Sequence, residues 1–231
     1  GKKNVLKCIK QVQPHGMIAV PLAHATKKVF PNTFKSIQHN VTVGTRWFWG
    51  GASLNKLLDS GKTDFKMASM EKEHPAAILF TSGSTGPAKG VLFSHGIFNH
   101  QVRILQEQFD IQPDETDLPT FPLFGLFSSG LGMTSIIPDM DSTKPAHVDP
   151  QNIIIPIQNF KISSSFGSPA LWDTVSQYCL DQNIQLPTLK RIIMAGGPVS
   201  GDLLARFETI IDKGCKIYTP YGATEVLPVS L

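Results

Sequence analysis

Three short apolar runs in this chain each end in a polar loop that carries glycine. "AAILFT" runs into "SGSTGPAKG", "RIIMA" into "GGPVSG", and "KIYTP" into "YGATE". Between them lie stretches whose apolar residues recur at helical spacing. Strand, loop and helix in alternation call for a sheet with helices on its faces, because each amphipathic helix has to bury its stripe against another element. The expected fold class is therefore α/β. In such sheets ligands bind beyond the carboxyl ends of the strands. The three loops would then lie along one edge, where a nucleotide fits.

The helices are marked by their ends as well as by their stripes. Ser168 can cap a helix that has Pro169 at its first position and Leu171, Trp172, Val175, Tyr178 and Cys179 on one side. Ser200 can cap another, with Asp202 in its positive first turn and Leu203, Leu204, Phe207, Ile210 and Ile211 as its stripe. A third runs from about Ile97 to Phe109, with Phe98, Val102, Leu105 and Phe109 aligned. "VLFS", "TSIIP" and "KISSSFG" read as strands. Earlier in the chain, Val5, Leu6, Ile9 and Val12 have helical spacing, "GMIAV" reads as a short buried strand stopped by Pro21, and "NVTVGTRWFWGG" as a strand running into a turn. Residues 59–74 are polar and read as a connection, which gives an α/β portion over 1–74 and a nucleotide-binding α/β portion over 75–231.

Composition removes several classes. The 231 residues are 41% hydrophobic and 17% charged, an ordinary globular balance. A net charge of +3 without a basic block argues against nucleic acid as a partner. No apolar run approaches the roughly 20 residues of a membrane span, so no transmembrane segment is expected. Three scattered cysteines suggest reduced thiols and a cytoplasmic protein, and the seven histidines show no metal-ligand spacing.

The first loop fails both common phosphate patterns. Counted from Gly83, Walker A requires glycine where Ala88 stands and Ser or Thr where Gly90 stands; Gly83, Gly86 and Gly90 do not have dinucleotide-fold spacing. Its chemistry still suits phosphate. Glycines let backbone N–H groups turn toward an anion, hydroxyls donate further bonds, and Lys89 adds charge. Taken alone, "YGATE" and "AGGP" read first as a strand end and a turn. In this company Tyr221 could stack on a purine, Thr224 could touch phosphate, and Glu225 could hold Mg2+ against phosphate oxygens. "FPLFGLF" and "FGSPALW" could line an apolar pocket; their plainer reading is core.

"TSGSTGPAKG" resembles the signature loop of the adenylate-forming superfamily, the AMP-binding acyl-AMP and acyl-CoA synthetases. "YGATE" resembles its second signature, and "AGGP" sits where its adenine loop belongs. Ala88 departs from the usual proline and leaves Lys89 in place. "DLPTFPLFGLFSSGLGMTSIIPDMDSTKPAHVDP" and "TPYGATEVLPVS" resemble the olefin-pathway β-lactone synthetase branch of that superfamily. The resemblance implies that Thr81, Ser82, Gly83, Ser84, Thr85, Gly86 and Lys89 cradle the phosphates of ATP. It implies that Gly196, Gly197 and Pro198 flank adenine, and that Tyr221 stacks on it with Gly222 and Ala223 alongside. Thr224 would contact the α-phosphate, Glu225 would bind Mg2+, and Phe121, Phe124, Phe166 and Ser168 would border the acyl group. Lys89, Thr224 and Glu225 would be the catalytic set.

The implied activity is ATP-dependent conversion of a long-chain acid, a 2-alkyl-3-hydroxy acid in the β-lactone branch, to an acyl-adenylate that closes to a β-lactone. A fatty acyl-CoA or acyl-AMP ligase, with CoA required in the first case, is the alternative within the superfamily. A non-catalytic nucleotide-binding module is the alternative outside it. The partner is a small-molecule acyl substrate, and the olefin reading adds pathway enzymes. Members of the superfamily are much longer, so the resemblance implies part of the large N-terminal domain without the small C-terminal domain, and weak or absent turnover by this piece alone.

Overall fold

The structure, a computed structural model, describes residues 2–61, 66–81 and 88–230. The chain divides into two compact units, Gly1–Phe93 and Ser94–Leu231. The sequence suggested a division before Pro75; the strand that begins there belongs to the first unit.

The first unit opens with α1 (Lys2–Val12), β1 (Gly16–Ala19) and α2 (Pro21–Val29). Proline at the first position of α2 costs that helix no hydrogen bond, since its N–H would have had no partner there. β2 (His39–Thr42) and β3 (Ala52–Ser53) join β1 in a parallel sheet of order β1–β2–β3. The expected burial of β1 does not hold, because Ile18 is 73% exposed. As an edge strand, β1 has a neighbour on one side only. His24 is buried, stacks on Trp49 at 5.5 Å and shares a 3.1 Å hydrogen bond with the Val41 carbonyl. Trp49 donates from Nε1 to Thr42 Oγ1 at 2.9 Å. α3 (Leu54–Asp59) starts on Ser53, whose hydroxyl accepts from the Lys56 N–H. β4 (Pro75–Phe80) and β5 (Gly90–Ser94) pair in a two-stranded sheet.

In the second unit, α4 (His95–Phe109) begins on Ser94, whose hydroxyl accepts the Ile97 N–H, and ends at Asp110 in the left-handed conformation. Then come β6 (Thr116–Pro119), α5 (Gly125–Gly130), β7 (Thr134–Ser135), α6 (Gln151–Asn159) and β8 (Ser164–Gly167). The chain continues through α7 (Pro169–Asp181), β9 (Arg191–Met194), α8 (Gly201–Ile210) and β10 (Lys216–Tyr218). The five strands form one parallel sheet in the order β10–β9–β8–β6–β7. The two serine caps stand as expected: Ser168 accepts from the Leu171 N–H and Ser200 from the Leu203 N–H. β7 keeps only the first two residues of the expected "TSIIP" strand.

Register assigns each residue to a face. Asp117, Ser164 and Arg191 form one cross-strand row, and Leu118, Ser165 and Ile192 form the next. Adjacent rows point to opposite sides of the sheet. On one side Leu118, Ile192 and Met194 pack with Ile153 and Ile157 of α6, Trp172 and Val175 of α7, and Phe207 of α8. On the other side Ile193 and Tyr218 meet a smaller cluster of Phe109, Ile111, Leu131 and Met133. The chain ends in an antiparallel hairpin, β11 (Tyr221–Ala223) and β12 (Val226–Ser230), where the sequence suggested only a loop.

Candidate functional site

Parallel strands end on a common edge, so the segments that leave them converge. In the second unit they enclose a cavity of about 520 Å3. Thr120, Phe121 and Phe124 come from the segment after β6, Ser168 follows β8, and Ala195 and Gly196 follow β9. Tyr221, Gly222, Ala223 and Thr224 of the hairpin complete the rim. Gly196 has φ +91°, a conformation that penalises any side chain, and the space beside its Cα is open.

Further in, the cavity runs over the second face of the sheet. Asp117, Ser164, Phe166 and Ile193 line it from the strands; Leu105, Phe109 and Phe127 face them. Its aromatic wall is continuous. Phe124 stacks on Phe166 with ring centres 4.1 Å apart, and Phe121 and Phe127 lie 5.7 and 6.0 Å from Phe124. Offset rings in such contact form a rigid apolar surface.

One charged group interrupts that surface. Asp117 is buried, and Ser128 of α5 donates from Oγ to its Oδ2 at 2.6 Å. Burial raises its pKa from 3.8 to about 6; hydrogen bonds from Ser128 and Ser164 and the nearby Arg191 charge work against that rise. Arg191 is itself buried, with each of its three nitrogens donating a hydrogen bond. It donates from Nε to the Phe109 carbonyl at 2.6 Å, from Nη2 to the Asp110 carbonyl at 2.7 Å, and from Nη1 to Glu115 Oε2 at 2.8 Å. Burial also pushes the Cys179 and Cys215 thiols up to about 11, so neither is a thiolate nucleophile near neutral pH.

Of the residues singled out in the sequence, Phe121, Phe124, Phe166, Ser168, Gly196, Tyr221, Gly222, Ala223 and Thr224 are brought together around this cavity. The Ser168 hydroxyl is also used as the α7 cap. Gly197 and Pro198 continue the β9 loop without lining the cavity, and Glu225 stands exposed beside Thr224 in the hairpin turn. Thr81 and Lys89 belong to the first unit. There the Thr81 N–H donates to the Lys89 carbonyl at 3.0 Å, and the Lys89 N–H to Thr81 Oγ1 at 3.2 Å, which ties the two ends of the signature loop together. Ser82, Gly83, Ser84, Thr85 and Gly86 lie outside the described residues. Sequence reasoning missed Asp117, Ser128 and Ser164. The available signal was a charged residue inside the short strand "TDLP".

Comparison with known proteins places the chain. A family profile described as "AMP-binding enzyme" matches residues 2–231. The chain belongs to the AMP-binding enzyme family. It is 41% identical over its whole length to the olefin beta-lactone synthetase of Stenotrophomonas maltophilia and 40% identical over 99% of its length to that of Xanthomonas campestris pv. campestris. It spans 41% and 40% of those two relatives, about two fifths of each. Its fold matches the inhibitor-bound N-terminal domain of FACL13 from Mycobacterium tuberculosis with a TM-score of 0.78 at 18% identity, over 96% of this chain and 54% of that one. As an AMP-binding family member the chain has the α/β fold of that N-terminal domain.

Among the described residues no group of three or more His, Cys, Asp or Glu side chains is placed to cage a metal ion. Glu225 is exposed beside Thr224, a single carboxylate of the kind that could share Mg2+ with substrate phosphates and water. No described helix is long and apolar enough to cross a membrane.

Proposed function

We propose that the protein carrying this chain uses ATP to activate a long-chain 2-alkyl-3-hydroxy acid as its acyl-adenylate and closes that intermediate to a β-lactone. The observation that carries the reading is the composition of one cavity. Gly196, Tyr221 and Thr224 give its rim a permissive backbone, an aromatic plane and a hydroxyl; Phe121, Phe124 and Phe166 give its interior an apolar wall. Family membership and the likeness of this chain to about two fifths of two β-lactone synthetases support it.

The chemistry begins with a poor electrophile, a carboxylate. One of its oxygens attacks the α-phosphorus of ATP, the bond from that phosphorus to the bridging oxygen breaks, and pyrophosphate leaves. Thr81, Ser82, Gly83, Ser84, Thr85, Gly86 and Lys89 hold the phosphates, with the Lys89 ammonium offsetting the charge that gathers there. Gly196, Gly197 and Pro198 flank the adenine, and Tyr221 stacks on it with Gly222 and Ala223 alongside. Thr224 donates to the α-phosphate. Glu225 would hold Mg2+, which would supply charge neutralisation at the phosphate oxygens. Phe121, Phe124, Phe166 and Ser168 border the acyl group. The substrate's own 3-hydroxyl oxygen then attacks the acyl carbon, loses its proton, and displaces AMP as the four-membered ring closes. Both reacting groups belong to one molecule, so the pocket's task in this step is orientation.

The test gives the whole protein ATP, Mg2+ and a long-chain 2-alkyl-3-hydroxy acid without CoA, and reads products by NMR. A β-lactone together with AMP is expected. Formation of a thioester from a plain fatty acid, only when CoA is added and with no lactone, replaces the reading by that of an acyl-CoA ligase.

A further inference from the structure

We infer that Asp117, braced by Ser128, is a specificity-determining acceptor for the 3-hydroxyl of the acyl substrate, a role that rests on the acyl-adenylate reading above. Alternation along the strands makes position 117 a natural place for an aliphatic residue. Ile193, on the same face of the sheet, shows what suits a hydrocarbon guest. A carboxyl there gains nothing from an unsubstituted chain and costs free energy to bury.

The surroundings of the carboxyl show that it is kept available. Ser128 occupies one site on Oδ2 at 2.6 Å, the Ser164 hydroxyl and the Leu118 N–H take two more, and an ionised carboxylate offers about four acceptor sites. Arg191 lies close enough to act on Asp117 through its charge, while its hydrogen bonds go to Phe109, Asp110 and Glu115. Asp117 therefore lines the cavity with about one acceptor site that Ser128, Ser164 and Leu118 leave open. At pH 7.5 the group is mostly ionised despite its burial, since its pKa is about 6.

Its position lies on the acyl path, inward of the rim. Asp117 lies two residues before Pro119, which pairs with Phe166, so it sits one strand repeat of roughly 7 Å inward from the Phe124–Phe166 ring pair. Ser128 follows Phe124 by one helical turn and also reaches the Phe124 carbonyl, at 3.3 Å. The cap residue of α5 thus presents the ring that borders the acyl group, and the helix itself the hydroxyl that orients the carboxylate. A substrate that enters past the rings meets an acceptor as soon as it has passed them.

The experiment measures ATP–pyrophosphate exchange by the whole protein with two acids, a 2-alkyl-3-hydroxy acid and the same acid lacking the hydroxyl. Adenylation does not chemically need that hydroxyl, so a preference at this step reports recognition. Wild-type protein should favour the hydroxy acid in kcat/KM by about 10- to 100-fold, the worth of one hydrogen bond to a charged group. Asp117→Leu should bring the ratio close to one. Asp117→Asn, nearly the same shape and still able to accept through its amide oxygen, should retain part of the preference and guards against a leucine variant that fails to fold. Equal loss with both acids in both variants, or no change in the ratio, would mean that Asp117 only supports the fold, and overturns the inference. A wild-type protein that activates both acids equally overturns it while leaving acyl-adenylate formation intact. Exchange with neither acid removes both.

Discussion

The two faces of the five-stranded sheet are built from the same strands and differ by one residue in register. One face is dry. Leu118, Ile192 and Met194 meet three helices there, and Trp172 is fully enclosed. The other face carries Asp117, Ser164 and Phe166 and is left partly uncovered, as a cavity. The helices that pack the first face have long apolar stripes, whereas the second is covered by the end of α4 and the short α5. The lesson is a division of labour within single strands. Odd and even positions answer to different demands, stability on one side and recognition on the other.

That division is open to attack, first where the expected effect is largest. Trp172→Ala on the dry face should cost about 3–5 kcal/mol, the usual range for emptying a buried aromatic site. Urea unfolding of the chain followed by far-UV circular dichroism measures it, and a cost below about 1 kcal/mol would erase the contrast between the faces.

Asp117→Asn probes the other face through pH. Sign matters here. The folded-state pKa of about 6 lies above the ordinary 3.8, so the folded chain holds this proton more tightly. The stability linked to it is complete below about pH 3.8 and is lost as pH rises through about 6, by up to roughly 3 kcal/mol. The variant should therefore gain stability over the native chain between pH 4.5 and 7.5, and a constant difference across that window would contradict the assignment.

The smallest effect belongs to Phe124→Leu. Its ring is half-buried at the cavity, so its loss should cost no more than about 1.5 kcal/mol in the same unfolding measurement. Acyl chain preference in pyrophosphate exchange should shift all the same. A large stability loss with unchanged preference would assign Phe124 to the packed core.

The contrast between faces also separates what could be read from the sequence from what could not. Caps and stripes were legible: Ser168 with Pro169, and Ser200 with Asp202, mark helix starts by local chemistry alone. The loop after β9 and the strand-to-helix junction after β8 were legible too, because glycine and proline punctuate a chain wherever it folds, whereas β6 was not read as a strand. The β11–β12 hairpin was not. Its turn, Thr224–Glu225, lacks the Asn-Gly or Asp-Gly signal that announces a two-residue connection. Asp117 was missed for a different reason. A lone acidic residue in a short strand normally points to solvent, and only the register across β6, β8 and β9 shows that it faces a cavity. The exposure of Ile18 was misread because an apolar strand at a sheet edge looks the same in sequence as one at its centre.

Arg191 has a consequence for how this sequence can drift. Two of its three partners are main-chain carbonyls, those of Phe109 and Asp110, and no substitution at either position removes a carbonyl. Only Glu115 meets the guanidinium through a side chain. Evolution is thus free to vary residues 109 and 110 as far as this arginine is concerned, while 115 and 191 are bound to change together or not at all.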